Sequence, residues 1–140
     1  MKLRSKPVTV IAPGKLNLFL NILGKRHDGY HDLQTLFQLI NIGDDISFEV
    51  IEDNEILLSH NLVGIKNEDN LIVRSAQLLK KSANVKNGCH INLRKILPIG
   101  AGLGGGSSDA ATTLLTLNTL WGCNLNSHNL SMLGASLGAD

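Results

Sequence analysis

The densest chemistry in this 140-residue chain is a glycine run, Pro98-Ile99-Gly100-Ala101-Gly102-Leu103-Gly104-Gly105-Gly106-Ser107-Ser108, with five glycines in the seven positions 100–106. Such a run is costly in chain entropy. The cost has a purpose where backbone must approach a ligand. Without Cβ atoms, successive N–H groups can turn toward an anion, and the N-terminus of a following helix adds its positive end. The functional reading is a phosphate cradle; the competing one is a flexible loop or tight strand-to-helix turn. Two familiar phosphate motifs are set aside. A P-loop ends in Gly-Lys-Ser/Thr, whereas Ser107 follows Gly106 and no Lys or Arg occurs from Ile96 to Asp140. Gly100, Gly102 and Gly105 satisfy G-x-G-x-x-G, but a dinucleotide site also requires an acid roughly 20 residues on, and 112–130 contain none. Any cation that neutralises a ligand at the run comes from earlier in the chain.

Lys15 is the leading source of that charge. It lies in a Pro13-Gly14-Lys15 bend between apolar runs, where a solvated turn lysine is the ordinary alternative. Tyr30 and His31 follow an Asp28-Gly29 turn signal. An aromatic ring and a two-nitrogen ring can stack on and hydrogen-bond a pyrimidine base, although a lone His is usually structural and Tyr30 suits a core equally well. Asp140 follows Leu137-Gly138-Ala139 and by position alone is a surface acid just past a helix.

Taken in order, these segments resemble the GHMP kinase family. Pro98 to Ala111 is similar to its glycine-rich ATP-binding motif. Ala12-Pro13-Gly14-Lys15-Leu16-Asn17-Leu18-Phe19-Leu20 and Asp28-Gly29-Tyr30-His31-Asp32-Leu33-Gln34-Thr35 are similar to one member, which phosphorylates a cytidine diphosphate derivative of methylerythritol on its 2-hydroxyl in the non-mevalonate isoprenoid pathway. The resemblance implies ATP with Mg2+ as the phosphoryl donor; no carboxylate cluster in the sequence forms a dedicated metal site, and Ser108 is a possible ligand only. It implies that Lys15 and Asp140 are catalytic, Lys15 beside the acceptor hydroxyl and Asp140 as base or orienting group. Asn17, Tyr30 and His31 would bind substrate, with Phe37 bordering the same pocket. Pro98, Ile99, Gly100, Ala101, Gly102, Leu103, Gly104, Gly105, Gly106, Ser107 and Ser108 would wrap the phosphates. Asn70, Leu71 and Ile72 match a segment that borders adenine, and Lys95 would flank the base or phosphates. The competing readings are a helix cap for Asn70, core for Leu71 and Ile72, and a solvated strand end for Lys95. Asp109, in the first turn after the run, is given a capping role. Another GHMP kinase, acting on a sugar, homoserine or mevalonate, is the enzyme alternative, and a catalytically silent nucleotide-binding fragment is the non-enzyme one.

The elements that must position these residues follow from pattern. Val8 to Ala12 and Leu16 to Leu23 read as two strands or one long bent strand around Pro13-Gly14. Leu33, Leu36, Phe37 and Ile40 recur at helix-like spacing, with strand pairing left open. Ile46, Phe48 and Val50 alternate with polar residues as in a half-buried strand opened by Asp44-Asp45, and Glu55 to Ser59 could pair with it. Asn67 to Asn70 offer caps for a helix through Leu71, Ile72, Ala76, Leu78 and Leu79, closed by Lys80-Lys81. His90 to Leu97 alternates as a strand; Ser107 or Ser108 caps a helix to about Leu120, and Ser127 starts another to about Leu137. Strands early and helices late predict an α+β fold with a mainly antiparallel sheet and helices on one face.

Composition narrows the classes. The net charge of +1 provides no overall field for nucleic acid or a membrane surface, no run approaches membrane-spanning length, and Met1 to Lys6 with its broken sequel is too short for a signal peptide. Cys89 and Cys123 lack metal-ligand spacing and suit buried reduced thiols, so a cytoplasmic location is expected. Kinases of this family are about twice as long, so 1–140 is expected to be a nearly complete N-terminal ATP-binding domain without its C-terminal partner. A fragment of this kind is expected to have little or no activity alone, and an uncovered strand edge or apolar face predicts self-association or a homo-oligomer.

Overall fold

In the computed structural model of the chain, the described residues are 6–25, 31–62, 64, 66–97 and 105–137, and the side chains at 16–25, 31–38 and 41 are not described. The apolar stretch flanking Pro13 forms one 18-residue strand, β1 (Val8–Lys25), not two. It runs antiparallel to β2 (His31–Ile51) from Val8 opposite Phe48 to Lys25 opposite His31, with register shifts at Pro13/Lys15, Asn17/Phe19 and Ile22/Gly24. The bend expected at Pro13-Gly14 is therefore a bulge inside a continuous ladder. Helix-like spacing of Leu33, Leu36, Phe37 and Ile40 is overridden by this pairing: all four lie in β2, where the partner strand, not the local period, decides.

Phase along β2 builds the core. Asp44, Ile46 and Phe48 are fully buried while Asp45, Ser47 and Glu49 are only partly covered, as one face of a pleated strand requires. Gly43 stands where β1 leaves no room for a side chain, because a Cβ there would overlap the Ala12 carbonyl. Two further strands complete a sheet of order β1-β2-β4-β3: β3 (Ile56–His60) and β4 (Gly88–Arg94). The short strand expected at Glu55 to Ser59 pairs with β4 in parallel, and not with Ile46 to Ile51, since β4 occupies the free edge of β2.

The connection from β3 to β4 is a helix, α1 (Leu71–Ala83), preceded by a short 3-10 turn at Asn67–Asp69. Asn70 caps it, accepting the Ile72 N–H at 2.8 Å, and Asn84 closes it in the left-handed region with φ of 54°. Lys80, expected only to favour the helix end, is itself buried; its Nζ donates to the Val85 and Asn87 carbonyls and lies 5.5 Å from the centre of the Trp121 ring. Trp121 Nε1 donates to Gly88 O at 3.2 Å, tying the end of the next helix to the start of β4. That helix is α2 (Gly105–Leu120), and α3 (Ser127–Ser136) follows, capped by Asn126. The helix expected from Ser107 or Ser108 thus begins at Gly105.

Ile46, Phe48, Ile72, Leu79, Ile91, Leu93, Leu114 and Leu117 meet in one core between the sheet and the helices, and α2 lies against α1, β1 and β2. The α+β expectation, with a mainly antiparallel sheet, holds. Cys89 and Cys123 are free, the first buried with its thiol pushed up to about 12 by burial. No helix among the described residues is long and apolar enough to cross a membrane.

Candidate active site

Leu97, the last described residue before the glycine run, is the junction of the site. A Cβ on Gly14 would lie 3.2 Å from the Leu97 methyls, and one on Gly105 would lie 3.5 Å from Leu97 Cβ. The Pro-Gly-Lys bend, the strand end and the start of α2 therefore converge on one side chain. Lys15, half-buried on β1 and opposite Leu39, follows directly from the packed Gly14. On the other side, a Cβ on Gly106 would lie 3.5 Å from Leu71 Cδ1, so the first turn of α1 abuts the first turn of α2. Gly105, Gly106, Ser107 and Ser108 open α2 with their backbone at its positive end.

Lys95 is drawn into this junction by two buried acids. Its Nζ donates to Asp44 Oδ2 at 2.7 Å and to Asp109 Oδ2 at 3.1 Å, and its side chain is only 11 % exposed. It is not a solvated strand end. Asp44 Oδ1 also accepts the backbone N–H groups of Ile96 and Leu97, each at 2.8 Å. Burial would push the Asp44 carboxyl up, but the side chains of Asp109 and Lys95 and the two amides outweigh it and hold it below its ordinary value. For Asp109, burial and the neighbouring Asp44 push the carboxyl up to about 7 despite Lys95. Burial alone would lower the Lys95 ammonium; the two carboxylates raise it. The asymmetry between the acids has a structural cause: among the described residues Asp44 has three donors, whereas Asp109 has one and its buried Oδ1 has no partner. Asp109 is thus no helix cap, as its position had suggested, but one arm of an ion cluster.

Several expected site residues keep a simpler role. Asn70 spends its side-chain oxygen on the α1 cap, and Ile72 is fully buried in the core. Asn17 and Phe37 stand opposite each other in the β1–β2 ladder, two residues beyond Lys15, while His31 stands opposite Lys25 at the far end of the same hairpin. Tyr30, Asp140 and residues 98–104 lie outside the described residues. Among the described residues no group of His, Cys, Asp and Glu could hold a metal ion, and the two acids nearest the run are already engaged by Lys95. A cleft of about 460 Å³ between α2 and α3 starts at Ser107, but Ala110, Leu114, Leu115 and Leu130 line it and no charged side chain among the described residues does, so these residues do not fit it for a phosphate. Asp44 was missed by sequence reasoning, although a signal existed: it is in phase with Ile46 and Phe48 and so falls on the buried face.

Comparison with known proteins agrees with this geometry. Residues 70–140, from the α1 cap through the glycine run, match the family described as GHMP kinases N terminal domain. The chain is 55 % identical over 137 residues to the 4-diphosphocytidyl-2-C-methyl-D-erythritol kinase of Pasteurella multocida, covering 98 % of this chain and 46 % of the relative. It is 54 % identical over 129 residues to the kinase of that name from Pseudoalteromonas atlantica, covering 92 % and 45 %. The chain therefore spans about half the length of the curated relatives it matches. A crystal structure of 4-(cytidine 5'-diphospho)-2C-methyl-D-erythritol kinase superposes with a TM-score of 0.83 at 38 % identity, covering 95 % of this chain and 47 % of that one. The mevalonate kinase of Methanococcus jannaschii shares the fold at a TM-score of 0.71 and 18 % identity, covering 94 % and 46 %. With the family match extending over half of the chain and across the junction of Asn70, Lys95 and Gly105, this chain belongs to the GHMP kinases and carries their N-terminal domain.

Proposed function

We propose that this chain is the ATP-binding part of a kinase that transfers the γ-phosphate of ATP to the 2-hydroxyl of 4-diphosphocytidyl-2-C-methyl-D-erythritol. The observation that carries the reading is the 55 % identity, over 98 % of the chain, to a kinase of that name. A likeness that deep spans the Lys15–Asn17 and Asp28–Thr35 segments as well as the glycine run, whereas the mevalonate, homoserine and galactose kinases share the fold at under 20 % identity. On this reading 1–140 is the N-terminal domain, and a second domain completes the substrate cleft.

Phosphoryl transfer needs the γ-phosphate in line with the acceptor hydroxyl and positive charge around it more than it needs covalent help. Residues 98–108 hold the phosphates by backbone N–H groups, at the positive end of α2. The convergence of Gly14, Leu97 and Gly105 supports Lys15 as the group that stabilises the transferring phosphoryl. Asp140 orients the acceptor hydroxyl and accepts its proton late in the transfer. Asn17 and Phe37, facing positions on β1 and β2, border the methylerythritol end; Tyr30 and His31 recognise the cytosine. Asn70 and Lys95 contribute to the nucleotide side. Mg2+ travels with ATP and offsets charge on the β- and γ-phosphates, and the reaction belongs to the cytoplasm.

The test is a transfer assay on the full-length protein with γ-labelled ATP, offering the cytidine diphosphate substrate, mevalonate, homoserine and galactose in parallel. Label on the first alone is expected. Preferential transfer to any of the other three would replace the substrate assignment, and no transfer to any would remove the kinase reading.

A further inference from the structure

Residues 98–104 join two described ends, Leu97 and Gly105, and both ends meet the same ion cluster. On the strand side, Asp44 Oδ1 takes the N–H groups of Ile96 and Leu97. On the helix side, Lys95 Nζ comes within 2.8 Å of where a Cβ on Gly105 would lie and holds Asp109 one turn into α2. The 2.7 Å pair between Asp44 Oδ2 and Lys95 Nζ joins the two sides.

An exposed pair of this kind would contribute little. This one is different because Asp44 is fully buried, where solvent and salt screen it weakly and the loss of one partner leaves an uncompensated charge. A carboxylate fixed by three donors on a core strand also has one geometry, which it imposes on whatever it holds. Being fully buried, Asp44 does not itself reach a ligand.

We propose that Asp44 is a positioning residue of the nucleotide site: by gripping Lys95 and the two amides that precede the glycine run, it sets how the two ends of the run stand relative to each other. The amides of Gly105 and Gly106, which open α2, inherit that setting. The inference rests on the reading of the run as the phosphate cradle and extends it to a residue on a different strand. Cradle amides displaced by a fraction of an ångström lose alignment with the phosphate, and misplacement of about 1 Å can cost about a hundredfold.

The test uses the full-length protein, with ATP affinity measured by calorimetry on the unsubstituted chain, Asp44→Asn, Lys95→Met and the double variant, each checked for folding by circular dichroism. Asn keeps an oxygen for the Ile96 and Leu97 amides but presents a neutral group to Lys95, so it isolates the grip on the ammonium. Asp44→Asn is expected to raise the ATP Kd by about ten- to a hundredfold while the acceptor KM stays within about twofold. Because Asp44 acts through Lys95, adding Asp44→Asn to Lys95→Met should change Kd by less than about twofold. A purely structural role predicts lower stability with an unchanged Kd, and that outcome, or additive effects of the two substitutions, overturns the inference. If Asp44→Asn does not fold, Asp44→Glu decides, since it keeps the charge and displaces it by one methylene; an unchanged Kd in that variant overturns the inference equally. If the unsubstituted protein fails to bind ATP, the cradle reading falls and takes this inference with it; if it binds and the Asp44 variants bind equally well, only the positioning role falls.

Discussion

Replacing Asp109 by Asn should make the protein more stable at pH 8 and leave its stability nearly unchanged at pH 4. Asp109 is 4 % exposed and faces one ammonium together with a second carboxylate, and its carboxyl is raised from an ordinary 3.8 to about 7. The folded state therefore holds this proton more tightly than the unfolded chain, so stability falls as pH rises from about 4 to 7 and the loss is complete above 7. At about 1.4 kcal/mol per pH unit this interval is worth roughly 4 kcal/mol. The two other members of the cluster act elsewhere on the pH scale. Asp44, lowered, contributes stability above 3.8 that is lost only as pH falls through its folded value. Lys95, raised, contributes stability that is lost only as pH climbs beyond 10.5. Among the described side chains on the elements packed against α2, Lys80 of α1 bonds the Val85 and Asn87 carbonyls, Arg74 and Lys81 of α1 and His128 of α3 are exposed, and Lys15 of β1 and Asp45 and Glu49 of β2 are half-buried. Urea unfolding at pH 4, 5.5, 7 and 8, followed by the fluorescence of the single Trp121, gives the difference between the two proteins at each pH. That difference should grow by about 3–4 kcal/mol in favour of Asn. A flat difference, or a less stable variant at pH 8, would refute the assignment of the cluster's proton to Asp109.

Three further outcomes are expected. Gly105→Ala should lose about 1–3 kcal/mol in urea unfolding although Ala is favoured in helices by about 1 kcal/mol, because the new Cβ would lie 2.8 Å from a Lys95 ammonium held by two carboxylates; a gain would mean that Lys95 yields freely. In the full-length protein, Asp140→Asn should lower kcat by about 10²–10⁴-fold with ATP affinity intact, and near-normal turnover would remove Asp140 from the chemistry. Cys89, buried with its thiol near 12, should stay unmodified by iodoacetamide at pH 8 until urea unfolds the chain; mass spectrometry of the digested protein at low urea would contradict this by showing prompt alkylation.

How much could be read from residues alone depended on whether the deciding contact was local. The α1 boundaries were readable because Asn70 and Lys80-Lys81 act within their own helix. Strand phase at Ile46 and Phe48 was readable for the same reason. The first part of β2 was not, because its spacing resembles a helix and only the β1 ladder overrides it. Nor was the partner of β3, which depends on β4 having already taken the edge of β2. The glycine run suggested an anion site without placing it, while Gly105 and Gly106 proved to be helical residues and not turn formers, and only at Gly105 would a Cβ crowd a neighbour, the Lys95 ammonium. Asp44 stands 51 residues from Lys95 in sequence, so no local pattern joins them. The in-phase acid was the only visible sign.

That distant contact alters where the positive charge at the run comes from. The absence of Lys and Arg after residue 95 left Lys15 and Lys95 as the candidate cations. Lys95 cannot supply a net field, because its single charge faces two carboxylates: the cluster carries one negative charge when Asp109 is ionised and none when it is protonated. A group so balanced attracts phosphate weakly at a distance. On the proposed reading its influence on a nucleotide is geometric, through the two ends of the run that it joins, and the proposed Coulombic attraction rests on the backbone amides at the start of α2 and on Lys15. The two lysines therefore separate by the kind of defect their loss produces. Removing Lys15 should slow phosphoryl transfer, since charge on the transferring group is neutralised mainly in the transition state. Removing Lys95 should weaken ATP binding first, since it disorders the cradle before any chemistry begins. Equal effects of the two substitutions on kcat would show that Lys95 contacts the transferring phosphoryl after all, with Asp109 surrendering its partner when ATP arrives.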